Sequence, residues 1–250
     1  MHPQLADLAA RYWDLLMESS PTSATLIGDH RFDDRLEDPS REEEDRLIAA
    51  FDGMVAAATA LDPAALEATD AVTREVLLFE ATSQADHLRS RYAEFLVDPM
   101  LGPHMDLVSY IPQLTGTTAE HAAAFVVKAS RVGNAFDHAV DRLREGVANG
   151  RTPPRAAVDK VLGQLDAYLA SPIDKDPFLA IQPPSVMSEA DVAEWRADMR
   201  HQVHAARGET VEEKRVGGGI RGNRFVDPHR AASQSGSQLI DPLRLDEPQV

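Results

Sequence analysis

The chain has 250 residues, a formal net charge of −16 and no cysteine. Its acidity argues against nucleic acid and against an anionic membrane surface, since both need clustered Lys and Arg. Without cysteine, disulfides, thiolate catalysis and Cys-ligated metal centres are excluded.

Hydrophobic residues make up 43% of the chain and aromatics only 6%. Alanine supplies much of the apolar fraction, and runs of β-branched and aromatic residues with period two are missing. Together these features predict an all-α protein, a multi-helix bundle with proline-rich connectors. No stretch approaches the roughly 20 apolar residues of a membrane span. The N-terminus lacks the basic region and apolar run of a secretory signal, so a cytoplasmic location is expected.

The first helix is predicted over 3–19, where Leu5, Leu8, Tyr12, Leu15 and Leu16 recur at helical spacing and Pro21 lies just beyond. A polar stretch follows, with Gly28-Asp29-His30-Arg31-Phe32-Asp33-Asp34-Arg35 at its centre. A second helix is predicted from Ser40, with Ser40 and Glu43 as a capping box and Leu47, Ile48, Phe51, Val55 and Ala58 as its stripe. Acidic residues in its first turn suit the helix dipole, so they need no metal or basic partner. A third helix is predicted over about 70–91, with Val72, Val76, Phe79 and Leu88 on the inner face and Leu77 and Leu78 widening it. Pro99, Gly102 and Pro103 mark a connector, and the irregular stretch is expected to continue through Tyr110-Ile111-Pro112.

Thr117 and Glu120 suggest another capping box, opening a long helical pattern to Asn149 that breaks near Gly133. Asn149-Gly150 reads as a stop, and Pro153-Pro154 as the start of a partner helix carrying Val158, Val161, Leu162, Leu165 and Leu169. The pair is expected to form a helical hairpin. Ser188 then caps a helix with Val192, Trp195, Met199 and Val203 on its buried face, Trp195 being a core anchor. After about Ala206, glycine and serine replace the helical period. Residues 1–206 are therefore read as the folded part and 207–250 as a disordered, low-order tail.

Motifs for chemistry are sparse. No phosphate loop and no Gly-x-Ser-x-Gly element are present. Gly217, Gly219 and Gly222 match the letters of a dinucleotide fingerprint but lack the strand that gives it meaning. No histidine is followed by glutamate, so there is no His-Glu-x-x-His zinc helix. His201 and His204, with Glu209 nearby, could share a helix face, but a metal needs a third well-placed ligand. Asp29, His30, Asp33 and Asp34 could form an acid–base cluster, because a histidine beside a carboxylate can switch charge near neutral pH. The simpler structural reading has Gly28 making a turn, Asp29 capping, Arg31 and Arg35 pairing with acids, and Phe32 pinning the loop to the core.

Several segments, taken in order, resemble the DUF885 family of bacterial proteins. They are Tyr12-Trp13, Ser20-Pro21-Thr22-Ser23-Ala24-Thr25, the Gly28 to Leu36 loop, Val97 to Pro103, Leu143 to Pro154 and Ser188 to Val192. The similarity covers about residues 5–204. It implies a mostly helical fold and a family whose members are zinc-metallopeptidase-like, with a His-Glu-x-x-Pro-Gly-His type helix in a C-terminal half. This chain has no matching residues, so no catalytic, cofactor-binding or metal residue carries over, and zinc is expected only in full-length relatives.

The resemblance implies a truncated or frameshifted N-terminal half, inactive alone, in which an exposed apolar face pairs with the missing half or a second copy. The alternative is a non-enzymatic helical interaction module for a partner chain. A third option is a self-contained hydrolase using Asp29 and His30.

Overall fold

The structure, a computed structural model, describes residues 2–208. Among these residues it is all α-helical, with short 3-10 turns and no strand. Of the predicted tail, 207–250, only Arg207 and Gly208 are described, and Arg207 is held by the carbonyls of Tyr168, Leu169 and Ser171; the rest, including Glu209, Gly217, Gly219 and Gly222, lies outside the described residues.

The helices are α1 (Pro3–Ser19), α2 (Pro21–Leu26), α3 (Arg41–Thr59), α4 (Ala68–Arg89), α5 (Pro103–Tyr110), α6 (Ala119–Ser130), α7 (Val132–Ala148), α8 (Arg155–Ala170) and α9 (Glu189–Ala206). Two of them correct the sequence reading. The segments opened by Pro21 and Pro103 are helical, not breaks. In each, proline occupies the first turn, where its missing N–H has no intrahelical partner to lose.

The core falls into two regions. In the N-terminal region α3 and α4 pack along their length and α1 lies across both. Leu15, Leu47, Phe51 and Met54 meet Ala81 and Ala85, where the small alanines let the helices approach closely. Leu5, Leu8, Ala58, Leu61 and Leu77 continue this core toward the other end. In the second region α6 pairs with α9. Ile111, Leu114, Phe125, Phe178, Ile181, Trp195, Met199 and Val203 are buried together there. Burying a side chain the size of Phe125 contributes about 1.5–3 kcal/mol. Trp195 is the anchor expected of it, and its indole N–H donates to the Ala122 carbonyl at 2.8 Å.

Helix caps hold with adjustments. Ser188 and Asp191 form a complete capping box at α9. Ser40 accepts from the Glu43 N–H, but its own N–H donates to Asp38 and the Glu43 side chain pairs with Arg46, so the box is half made. At α6 the cap is Thr118, not Thr117, and it accepts from the N–H of His121. The break after α6 falls at Arg131, two residues before Gly133.

Two faces differ from expectation. On α4, Val72, Val76 and Phe79 are 64%, 54% and 69% exposed, and the helix packs through Leu77, Ala81 and Ala85 instead. The small side chains of Ala81 and Ala85 let α3 lie close on that side. α7 and α8 make little contact with each other, so the expected hairpin does not close. α7 packs instead on the 3-10 turn Tyr92–Glu94, leaving Phe136, Val140, Leu143 and Val147 half-buried.

Candidate functional site

The Gly28–Arg35 loop is built by local rules. Gly28 has φ +90°, a conformation that glycine adopts without cost and that turns the chain after α2. Asp29 accepts from the Arg31 N–H at 3.2 Å and pairs with its guanidinium at 2.7 Å. That hydrogen bond holds the Asp29 carboxyl below the ordinary carboxylate range. Arg31 also reaches Asp14 on α1 at 2.7 Å. Phe32 does not enter the core as expected. It lies half-buried between Arg31 and Arg35, whose guanidinium carbons are 5.2 and 5.3 Å from its ring centre. Leu36 packs against the second core region instead.

The four expected acid–base residues do not act as one group. Asp29 is turned to Arg31, and Asp34 pairs with Arg131 at 3.0 Å. His30 and Asp33 do meet, with His30 Nδ1 2.8 Å from Asp33 Oδ2. Asp33 is 2% exposed, and its other oxygen accepts from the Thr25 hydroxyl at 2.6 Å. A third residue joins them from α6. The His121 ring stacks on that of His30 with centroids 3.9 Å apart and planes 17° from parallel. Potential ligand atoms of His30, Asp33 and His121 all lie within 4.8 Å of one another. Sequence reasoning missed His121 because 91 positions separate it from His30 and no local spacing relates them. His201 is exposed and His204 partly so, and among the described residues neither belongs to a group able to hold a metal.

Beneath this loop lies Lys128, fully buried on α6, whose ammonium donates to the Arg35 carbonyl. Burial pushes its pKa down to about 8, against the pull of Glu37, Asp33 and Asp34.

A second constellation joins α3, the Tyr92–Glu94 turn, α7 and the segment after it. Four arginines (Arg41, Arg91, Arg142 and Arg151) face four carboxylates (Glu44, Asp45, Glu94 and Glu145). Glu94 is completely buried. It receives Arg41 and Arg151, whose Nε lies 2.7 Å from one carboxylate oxygen. Burial opposes its charge, yet the hydrogen bonds from Arg151 and Arg41 outweigh that and keep its carboxyl below the ordinary range. Arg142, 1% exposed, binds Glu44 and reaches Glu145 at 2.5 Å. Arg91 adopts φ +58°, unusual for a side chain of this kind, and is held by Glu44 at 2.7 Å and Asp45 at 2.9 Å. The Leu143 to Pro154 segment that carried the family resemblance has its reason here. A Cβ at Gly146 would stand 1.9 Å from the Glu94 carbonyl oxygen, so only glycine lets α7 lie this close.

Within the ionic constellation each arginine meets at least one carboxylate, and of the buried Arg142 guanidinium only Nε is left without a partner. The zinc donors implied by the family resemblance have no counterpart in the sequence, so no reaction step can be derived through them.

No curated protein matches the chain. Among solved structures, the fold is similar to that of a putative lipoprotein from Colwellia psychrerythraea, with a TM-score of 0.70 and 14% identity. The match covers 97% of this chain and 42% of that one, so the chain spans less than half the length of that structure. Identity at this level speaks to the fold alone. A family model described as "Bacterial protein of unknown function (DUF885)" matches residues 21–214, which take in the Gly28–Arg35 loop, the buried ionic cluster and α9. The chain is thus a member of the DUF885 family.

Proposed function

We propose that this chain forms one side of a larger DUF885 domain and carries no peptide-hydrolysing centre of its own. The observation that carries the reading is the open face of α4, where Val72, Val76 and Phe79 stand exposed at helical spacing. Contiguous apolar surface of this kind marks a docking site. The half-buried stripe of α7, the loosely packed α8 and the 42% coverage of the longer structure support the same reading. The occupant proposed is the remaining half of such a domain. Peptide hydrolysis is proposed for longer relatives, with that remaining length supplying the reactive donors and this chain a wall of the cleft.

The test is a peptidase assay on the purified chain with added Zn2+, run beside binding of an apolar fluorescent dye. The expected result is no turnover, with dye fluorescence that falls in a Val76→Asp/Phe79→Asp variant. Turnover dependent on stoichiometric zinc would refute the reading. Dye binding unchanged in the variant would remove α4 as the docking face, and concentration-dependent dimers abolished by the same variant would replace the missing half with a second copy.

A further inference from the structure

We propose that His30, Asp33 and His121 form a binding site for a borderline divalent cation of the zinc type. Two imidazoles and one carboxylate suit such an ion, with the remaining positions left to water. The donors come from two parts of the fold, His30 and Asp33 from the turn after α2 and His121 from the first turn of α6. Neighbouring ligands on one ion stand about 3–3.5 Å apart, given metal–ligand bonds of about 2.0–2.2 Å. His30 Nδ1 and Asp33 Oδ2, at 2.8 Å, are already close to that spacing. The third donor lies within 4.8 Å of both, so a ring adjustment at the half-exposed His121 completes the set.

The surroundings have the features of a prepared site. The Asp33 carboxylate is buried and its second oxygen is fixed by the Thr25 hydroxyl, an outer contact of the kind that orients metal ligands. A cation must replace the 2.8 Å hydrogen bond between His30 Nδ1 and Asp33 Oδ2, trading it for two metal bonds, and on the His121 side it displaces only long contacts. His121 Nδ1 accepts from the Thr117 N–H at 3.2 Å and lies 3.4 Å from the Thr117 hydroxyl. The stacked imidazoles and the buried carboxylate bring three donors into one compact set. A cation there would tie the α1–α2 side of the molecule to α6.

The proposal does not depend on catalysis, since the site would bind metal without turnover. The experiment is a titration of the purified chain with Co2+, read by its visible ligand-field absorption, with bound metal measured after gel filtration. One equivalent is expected. His121→Ala should weaken binding at least tenfold while leaving the far-ultraviolet circular dichroism unchanged, and a His201→Ala/His204→Ala variant should bind as the parent does. No absorption band, a band that survives His121→Ala, or a band lost with His201 and His204 would overturn the assignment. Zn2+ should displace Co2+ from the same site, and failure to do so would overturn the zinc-type preference.

Discussion

Lys128 shows how a single side chain can hold two regions in tension. Its ammonium satisfies the Arg35 carbonyl at the base of the loop, but it does so from a fully buried position where its charge is costly. The folded-state pKa is about 8 against an ordinary 10.5, so between those values the unfolded chain binds more protons than the folded one. Stability therefore rises with pH across that window and is lowest, on this account, when Lys128 is fully charged. Lys128→Met removes the buried charge and should close the gap. Denaturant melts from pH 7 to 10.5 should show the parent gaining about 2–3 kcal/mol relative to the variant, most of it above pH 8. Glu94 behaves in the opposite sense. Its carboxyl is held low by Arg151 and Arg41, so its contribution is present above about pH 4.5, its ordinary value, and is lost as the pH falls below it.

At the scale of elements, α4 is the most instructive. Its sequence offers two apolar faces, and period alone favoured the one with the larger side chains. The structure buries the one with alanines, whose small side chains let α3 lie close. Leu77→Ala should therefore cost about 2–4 kcal/mol in urea melts, while Val76→Asp, on the exposed face, should stay within about 0.5 kcal/mol. The other helices show what a sequence can and cannot declare. α1, α3 and α9 were legible because their caps and stripes are local. α2 and α5 were not, because proline signals both a helix start and a helix stop, and only the following residues decide which. Within the candidate site, Gly28, Asp29 and the His30–Asp33 pair could be read from adjacent letters. His121, Lys128 and the arginine–glutamate cluster could not. Their partners lie tens of residues away, and burial of a charge becomes visible only once the fold has chosen its neighbours.

For the whole molecule, the net charge of −16 is distributed in a way that composition does not reveal. The acidic residues of the α3 start looked like an ordinary solvated helix end. Two of them, Glu44 and Asp45, instead belong to the junction that joins the N-terminal core to α7. That junction is polar, while the exposed face of α4 and the half-buried stripe of α7 are apolar. The N-terminal core thus meets α7 through charge while apolar side chains of α4 stay exposed, which supports the place proposed for this chain as one side of a larger domain. Among the described residues no helix is long and apolar enough to cross a membrane.

The buried junction also sets an order of events. Arg142 meets Glu44 across 98 positions of chain, and Arg41 meets Glu145 across 104. Closing loops of that length costs entropy before any contact repays it, whereas α3 and α4 can find each other across a short connection. The helical pairs should therefore assemble early and the arginine–glutamate junction should close after the rate-limiting barrier. Removing one partner of a buried pair costs about 3–5 kcal/mol. If the junction closes late, Arg142→Ala should express nearly all of that loss as faster unfolding, with refolding almost unchanged in stopped-flow chevrons. A refolding limb slowed in proportion to the lost stability would place the junction in the nucleus instead. A protein built this way would come apart first where its charges meet.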